Sequence, residues 1–318
     1  MIQQKEPYVL VFGMSICDIF GFTHQSYRPY DSNPGSIKMS YGGVCRNIAE
    51  NMARVGINTK FISILGDDER GKGLQEHAKK MHFDMSDSLI IKGASTPTYI
   101  AVLDEHGEMV SAVVDISIAS LFTEEFIDSK SELIKNAEYV ILDADNPAIT
   151  EYIVKNFAEH TNIILDPVSA AKACTVKHLL PYVHTIKPNR YEAEVLCGFE
   201  LRSEEAIREA GNFFRNLGVQ KVFISLDCEG IYYHDGINEG IVRASEAKVV
   251  NVTGAGDAFV AGIGYGYMQG KNIKDIVKFA NTMSLLTIAH EETIDPTICE
   301  EKVQDELIKI EWVEKIIK

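Results

Sequence analysis

Positive charge is what this sequence has least of: 31 lysines and arginines stand against 46 aspartates and glutamates, a formal balance of −15 over 318 residues. Such a field repels phosphate backbones and anionic lipid, which argues against nucleic-acid and membrane partners. An anionic ligand has to be held instead by local backbone donors, a few placed cations and a divalent metal. Long apolar runs are missing too. The first, Tyr8 to Phe12, is far too short to span a bilayer, and the start Met1-Ile2-Gln3-Gln4-Lys5-Glu6-Pro7 is polar, so the sequence predicts a cytoplasmic protein. The six cysteines (Cys17, Cys45, Cys174, Cys197, Cys228, Cys299) stand singly, without Cys-x-x-Cys or paired histidines, which argues against a disulfide framework and a zinc site. Neither Ser15 nor Ser225 lies in a Gly-x-Ser-x-Gly turn, and the nine histidines form no catalytic pattern, so acyl transfer is unsupported. With no repeats, low-complexity tracts or long linkers, residues 1–318 read as one domain.

What is present is alternation. Short β-branched runs at Tyr8–Phe12, Phe61–Leu65, Tyr139–Asp143, Ile163–Asp166, His184–Ile186 and Val222–Leu226 predict buried strands. Amphipathic stretches at 43–55, 204–217 and 273–288 predict helices between them. The pattern implies an α/β fold with a mostly parallel sheet, helices on both sides, and ligands outside the carboxyl ends of the strands. Two segments break it: 22–41, rich in Tyr, Pro, Ser, Asn and Gly, and 96–114, which reads as a hairpin turning at Asp104-Glu105-His106-Gly107. Together they predict a small β-sheet with one face free to cover a site, or an ordinary edge hairpin.

The stretch Asn251-Val252-Thr253-Gly254-Ala255-Gly256-Asp257 places a bare turn before a small-residue helix, so backbone N–H groups can converge on an oxyanion at a helix N-terminus. A phosphate loop of the Gly-Lys-Ser type would carry a lysine here; this one carries Asp257. A carboxylate beside phosphate is repelled by it, which suggests another task, accepting a proton from an incoming hydroxyl. A strand-to-helix turn capped by Asp gives the same pattern. Asp18 follows the first strand and suits polyol hydroxyls, while Gly42-Gly43 before Asn47 permits close approach to vicinal hydroxyls. Lys187-Pro188-Asn189 and Glu192 open a helix where Asn189 and Glu192 form either a capping box or a hold on magnesium-bound water. Ser225 to Gly230 ends a strand in a tight turn suited to a ribose or phosphate edge.

Taken in order, Gly42-Gly43 with Asn47, Asn189-x-x-Glu192 and Thr253-Gly254-Ala255-Gly256-Asp257 resemble the PfkB/ribokinase superfamily of sugar and nucleoside kinases over nearly the whole chain. Within it, Asn33-Pro34-Gly35-Ser36-Ile37, the Gly42 to Asn51 run, Thr98 to Leu103 and Leu142 to Asn146 are similar to the branch acting on pseudouridine. The resemblance implies a ribokinase-like fold and transfer of the ATP γ-phosphate to a nucleoside 5′-hydroxyl. It implies Asp257 as base and Gly254, Ala255 and Gly256 as anion hole. Asp18, Gly42, Gly43 and Asn47 would hold ribose, and Lys187, Asn189, Ser225, Gly230 and Asn281 would line the nucleotide pocket. Asn189 and Glu192 would organise Mg2+, and Asn251 and Thr253 match positions for a monovalent cation such as K+. Two departures stand out: Asn251 replaces the usual aspartate, which weakens the case for potassium, and Val44 replaces the ribokinase lysine, which favours a base over a free sugar. A homodimer through the small sheet follows from the same resemblance. Ribokinase, inosine-guanosine kinase or fructokinase activity, or a non-catalytic nucleoside or ATP sensor, are the alternatives.

Overall fold

Strands buried on both faces need apolar residues at every position, and the run Val9-Leu10-Val11-Phe12 meets that demand with all four side chains buried. The computed structural model describes residues 6–316; the polar start read at Met1 to Lys5 lies outside them. Among the described residues, one sheet has nine strands in the order Trp312–Ile316, Glu239–Ala244, Ile231–His234, Lys221–Ser225, Thr185–Ile186, Asn162–Asp166, Tyr139–Asp143, Val9–Phe12 and Thr59–Ile62. From Lys221–Ser225 to Thr59–Ile62 the neighbours are parallel; the remainder is an antiparallel meander. Val9, Val11, Ile141 and Ile164 pack on one side with the helices Val44–Arg54, Ala255–Met268 and Ile273–Ile288. Leu10, Phe12, Leu142 and Leu165 pack on the other with Pro147–Phe157, Ala170–Val176, Arg190–Cys197 and Glu204–Leu217.

The helices expected at 204–217 and 273–288 have those bounds, the first closed by the Ser203 cap and left-handed Gly218. The strand expected over Phe61–Leu65 is divided instead. Thr59–Ile62 joins the main sheet, while Ile64–Gly66 pairs with Leu89–Ile91 in a two-stranded sheet. Phe61-Ile62 and Ile64-Leu65 are both apolar, and the single small Ser63 between them is a weak mark for a break. The meander of Ile231–His234 and Glu239–Ala244 also escaped the sequence reading, although its Asp235-Gly236 turn is a hairpin signal, with Asp235 Oδ1 accepting from Asn238 N at 2.6 Å.

A separate four-stranded sheet has the order Gly35–Gly42, Ile16–Thr23, Thr98–Leu103, Met109–Asp115. Asp18 is therefore a strand residue of this sheet, opposite Ser40 and Tyr99. Alternation sets Asp18, Phe20 and Tyr99 on one face, and Ile37, Met39, Ile100 and Val113 on the other. Lys38, on the Asp18 face, reaches Glu292 at 3.7 Å. Helix Ala255–Met268 sits against its neighbours without room for side chains: a Cβ on Gly262 would lie 2.4 Å from Ala280 Cα. That contact sets where the first turn of the helix, and its aspartate, points. Among the described residues no helix is long and apolar enough to cross a membrane.

Candidate active site

Parallel pairing carries polar residues to one line at the strand ends. Asp143 and Asp166 are register partners, and Ile186 pairs with Leu165, so Lys187 follows beside Asp166. Lys187 Nζ lies 3.3 Å from Asp166 Oδ2, both side chains buried. The same Nζ is 2.8 Å from where a Cβ on Gly256 would stand. The glycine turn thus receives from a distant strand the ammonium that its own sequence lacks. Burial would lower the Lys187 pKa, but the carboxylates of Asp166, Glu192 and Asp257 raise it overall, so the ammonium persists.

Gly254 caps the helix at φ 82°, where a Cβ would fall 2.1 Å from Thr293 O, so only glycine fits. Ala255 N bonds Val252 O at 3.4 Å, leaving Gly256 and Asp257 in the first helical turn, whose amides have no intrahelical acceptor. Asp257 is half-buried at that turn, and its Oδ2 accepts from Asn47 Nδ2 at 2.7 Å. Burial pushes its carboxyl up to about 7; Asp166 adds to the rise, while the Asn47 hydrogen bond, Lys187 and Arg46 oppose it. A carboxyl poised near neutrality at a helix N-terminus can take a proton from a hydroxyl.

Asn47 is held from its other end, because Arg46 Nη2 donates to Asn47 Oδ1 at 2.5 Å. Gly43, at φ 104°, starts the helix that carries both. Asp18 Oδ2 packs 2.2 Å from where a Gly42 Cβ would lie, and burial raises the Asp18 pKa against the pull of Arg46. The structure therefore brings Asp18, Gly42, Gly43, Asn47 and Asp257 together around Arg46.

On the other side, Asn189 and Glu192 form a full capping box. Asn189 Oδ1 accepts from Glu192 N at 2.9 Å, and Glu192 accepts from Asn189 N and Nδ2, each at 2.8 Å. Glu192 is buried, its pKa raised by burial and by Asp166. Ser225 bridges to Asn189 and bonds Pro188 O at 3.0 Å, and Gly230 closes the following turn at φ 103°. Asn281 is 8 % exposed in the middle of Ile273–Ile288. Asn251 Oδ1 accepts from Thr253 N at 3.0 Å while its Nδ2 donates to Glu291 O at 3.0 Å. Among the described residues no group of three or more His, Cys, Asp or Glu is placed to hold a metal ion.

Sequence reasoning missed Arg46 and Asp166. Arg46 and Glu50 have the i,i+4 spacing of a helical ion pair, and Asp166 ends an apolar strand, so a signal existed for each.

Residues 6–299 match the pfkB family carbohydrate kinases. The pseudouridine kinase of Escherichia coli (strain K12) is 34% identical over 93% of this chain and 95% of its own length. A crystal structure of a candidate sugar kinase from Clostridium perfringens is 58% identical, with a TM-score of 0.97 over 99% of this chain and 100% of that one. Arabidopsis thaliana ribokinase, solved with ribose and ATP, shares the fold at a TM-score of 0.82 and 22% identity over 95% of this chain and 98% of its own. The chain belongs to the pfkB family of carbohydrate kinases, phosphotransferases with an alcohol group as acceptor.

Proposed function

We propose that this kinase transfers the terminal phosphoryl group of ATP to the 5′-hydroxyl of a nucleoside, and that the nucleoside is pseudouridine. The observation that carries the kinase reading is Asp257, lifted to about 7 and aligned by Asn47 beside a glycine turn backed by Lys187. In this reading Asp18, Gly43 and Asn47 orient the ribose, and Asp257 accepts the hydroxyl proton. The amides of Gly254 to Gly256 and the Lys187 ammonium receive the charge that develops on the phosphoryl oxygens. Ser225, Gly230 and Asn281 border the nucleotide.

A base is favoured over a bare sugar by two rings. Phe20 and Tyr99 share the face of the small sheet with Asp18 and meet edge to face, 6.1 Å between centroids. The pseudouridine kinase relative points the same way.

Asp166 and Glu192 are buried carboxylates, Asp166 raises the Glu192 pKa, and Lys187 is paired with Asp166 at 3.3 Å, a donor set that fits a hydrated magnesium ion. Asn189 and Glu192 would hold its water shell with Asp166, and magnesium there would supply charge neutralisation to the phosphates. Asn251 spends its Nδ2 donor on Glu291 O, where a cation would require an acceptor, which argues against potassium at Asn251 and Thr253. The six thiols are free, in keeping with a cytoplasmic location. The outer face of the small sheet, with Ile37, Met39, Ile100 and Val113 exposed, supports a homodimer.

The test is a panel of pseudouridine, uridine, inosine, ribose and fructose with ATP, read as ADP formed. The highest kcat/KM belongs to pseudouridine. Preference for ribose or fructose would return the chain to the sugar kinases, and ligand-induced thermal stabilisation without ADP would make it a sensor.

A further inference from the structure

An amide next to a carboxylate has two orientations with opposite effects. With Nδ2 towards Asp257, Asn47 donates to the ionised form; with Oδ1 there, it would stabilise the protonated form. The first arrangement is present, at 2.7 Å. What selects it is Arg46. A guanidinium has only donors, so its Nη2 donates to Asn47 Oδ1 at 2.5 Å and would repel Nδ2 in that place.

Arg46 is itself held on two further sides. Its Nη1 bonds Glu50 Oε2 at 2.5 Å, and its Nη2 also donates to Tyr41 O at the end of the strand Gly35–Gly42. Glu50 is anchored by Arg54, 2.7 Å from Nη2 to Oε1, and by His77 Nε2, 2.7 Å from Oε2. Burial alone would raise the Glu50 pKa; the His77 hydrogen bond and Arg46 bring it to about 2, so it stays ionised. Arg46 is only 4 % exposed and its Nε has no partner among the described residues. A fully buried ion pair is a poor device for stability, since an apolar side chain of similar volume serves as well. Its use is better sought at Asn47.

We propose that Arg46 is a positioning residue for phosphoryl transfer: it locks the Asn47 amide so that Asp257 is kept ionised and aimed, and through Tyr41 it couples that lock to the small sheet. The proposal rests on Asp257 as the base. The other charged groups facing Asp257 are Asp166 and Lys187, with Glu192 behind Lys187 and with Asp18, Glu50, Arg54 and His77 around Arg46. All of them stay in place in the Arg46→Lys variant.

The experiment is kcat/KM against pH, with KM for each substrate, for the parent, Arg46→Lys, and Arg46→Met combined with Glu50→Gln so that no unpaired carboxylate is buried. In the double variant the acid limb moves up by about one pH unit. In both variants kcat falls about tenfold or more while the KM for ATP holds. Arg46→Lys keeps the charge but lacks the fork to serve Glu50, Tyr41 and Asn47 together, so it restores the limb in part and not kcat. Arg54→Met removes a Glu50 donor without touching Asn47, and lowers the melting temperature without moving the limb. The proposal is overturned if the limb and kcat are unchanged in both Arg46 variants, or if Arg54→Met moves the limb as far as the double variant does. Parent-like turnover in Asp257→Asn would be a different failure, that of the base itself.

Discussion

The two regions that meet at Asp257 are built to opposite rules. On the helices Val44–Arg54 and Ala255–Met268, polar side chains are buried and engaged: Arg46, Asn47 and Glu50 are 4, 6 and 2 % exposed and joined in one chain of hydrogen bonds. On the small sheet, apolar side chains are exposed, with Ile37 at 80 % and Val113 at 67 %. The first region has its geometry fixed before any substrate arrives, which is what stabilising developing charge requires. The second leaves apolar surface uncovered, the state in which a sheet face can take up a partner. On the proposed reading, the engaged region surrounds the proton acceptor and the uncovered surface lies apart from it.

The harshest way to break that contrast is Asp257→Asn, which keeps shape and removes the proposed base. Turnover falls about 10²–10⁴-fold with little change in the KM for ATP, read from initial rates of ADP release. In the parent, kcat/KM rises as pH passes through about 7, since burial lifts Asp257 there. Stability runs the other way. The native pKa lies above the unfolded value near 3.8, so between these the native state holds a proton that the unfolded chain has lost. That contribution is complete below about 4 and is lost as pH climbs through about 7. Asp257→Asn, neutral throughout, therefore melts above the parent at about pH 8, and the gap narrows towards about pH 5. Equal melting temperatures at the higher pH would mean that the engaged region carries no such cost.

A smaller effect tests how tightly that region is packed. Gly262→Ala puts a methyl group against Ala280, where the space is 2.4 Å, and costs about 1–3 kcal/mol in denaturant unfolding. A variant as stable as the parent would show that helix Ala255–Met268 is free to shift and that Asp257 is not aimed by core packing.

What could be read from the sequence follows the range of the interaction that decides it. The helix Glu204–Leu217 is written locally, in its apolar stripe, Ser203 and Gly218, and its bounds were legible. Tyr139–Asp143 is likewise an apolar run with its own ends. The break at Ser63 was not legible, because one small buried serine between two apolar pairs does not show that two sheets divide the stretch. In the site, the glycine turn with Asp257 stood out because its chemistry is contiguous in the chain. The meeting of Lys187 with Gly256 and Asp166 depends on parallel register between strands far apart in sequence, which no local pattern encodes. Arg46 was hidden differently: an arginine four residues before a glutamate reads as an exposed helical pair, and only burial reveals that its remaining donors face Asn47 and Tyr41.

The mildest variant in folding terms isolates the small sheet. Ile37 and Val113 lie on the face opposite Asp18, so Ile37→Glu with Val113→Glu leaves the core and the base untouched and changes unfolding free energy by less than about 0.5 kcal/mol each. If this face joins two copies, sedimentation shows a dimer in the parent and a monomer in the double variant, because carboxylates facing their own symmetry mates repel in a closing interface. Tyr99→Ala on the opposite face makes the reciprocal case: it raises the nucleoside KM and leaves the assembly state as it was. Were Tyr99→Ala to dissociate the protein, or the two glutamates to raise the nucleoside KM without changing its mass, the faces would have exchanged roles. The row Ile37, Met39, Ile100 and Val113 would then be the surface that meets the base.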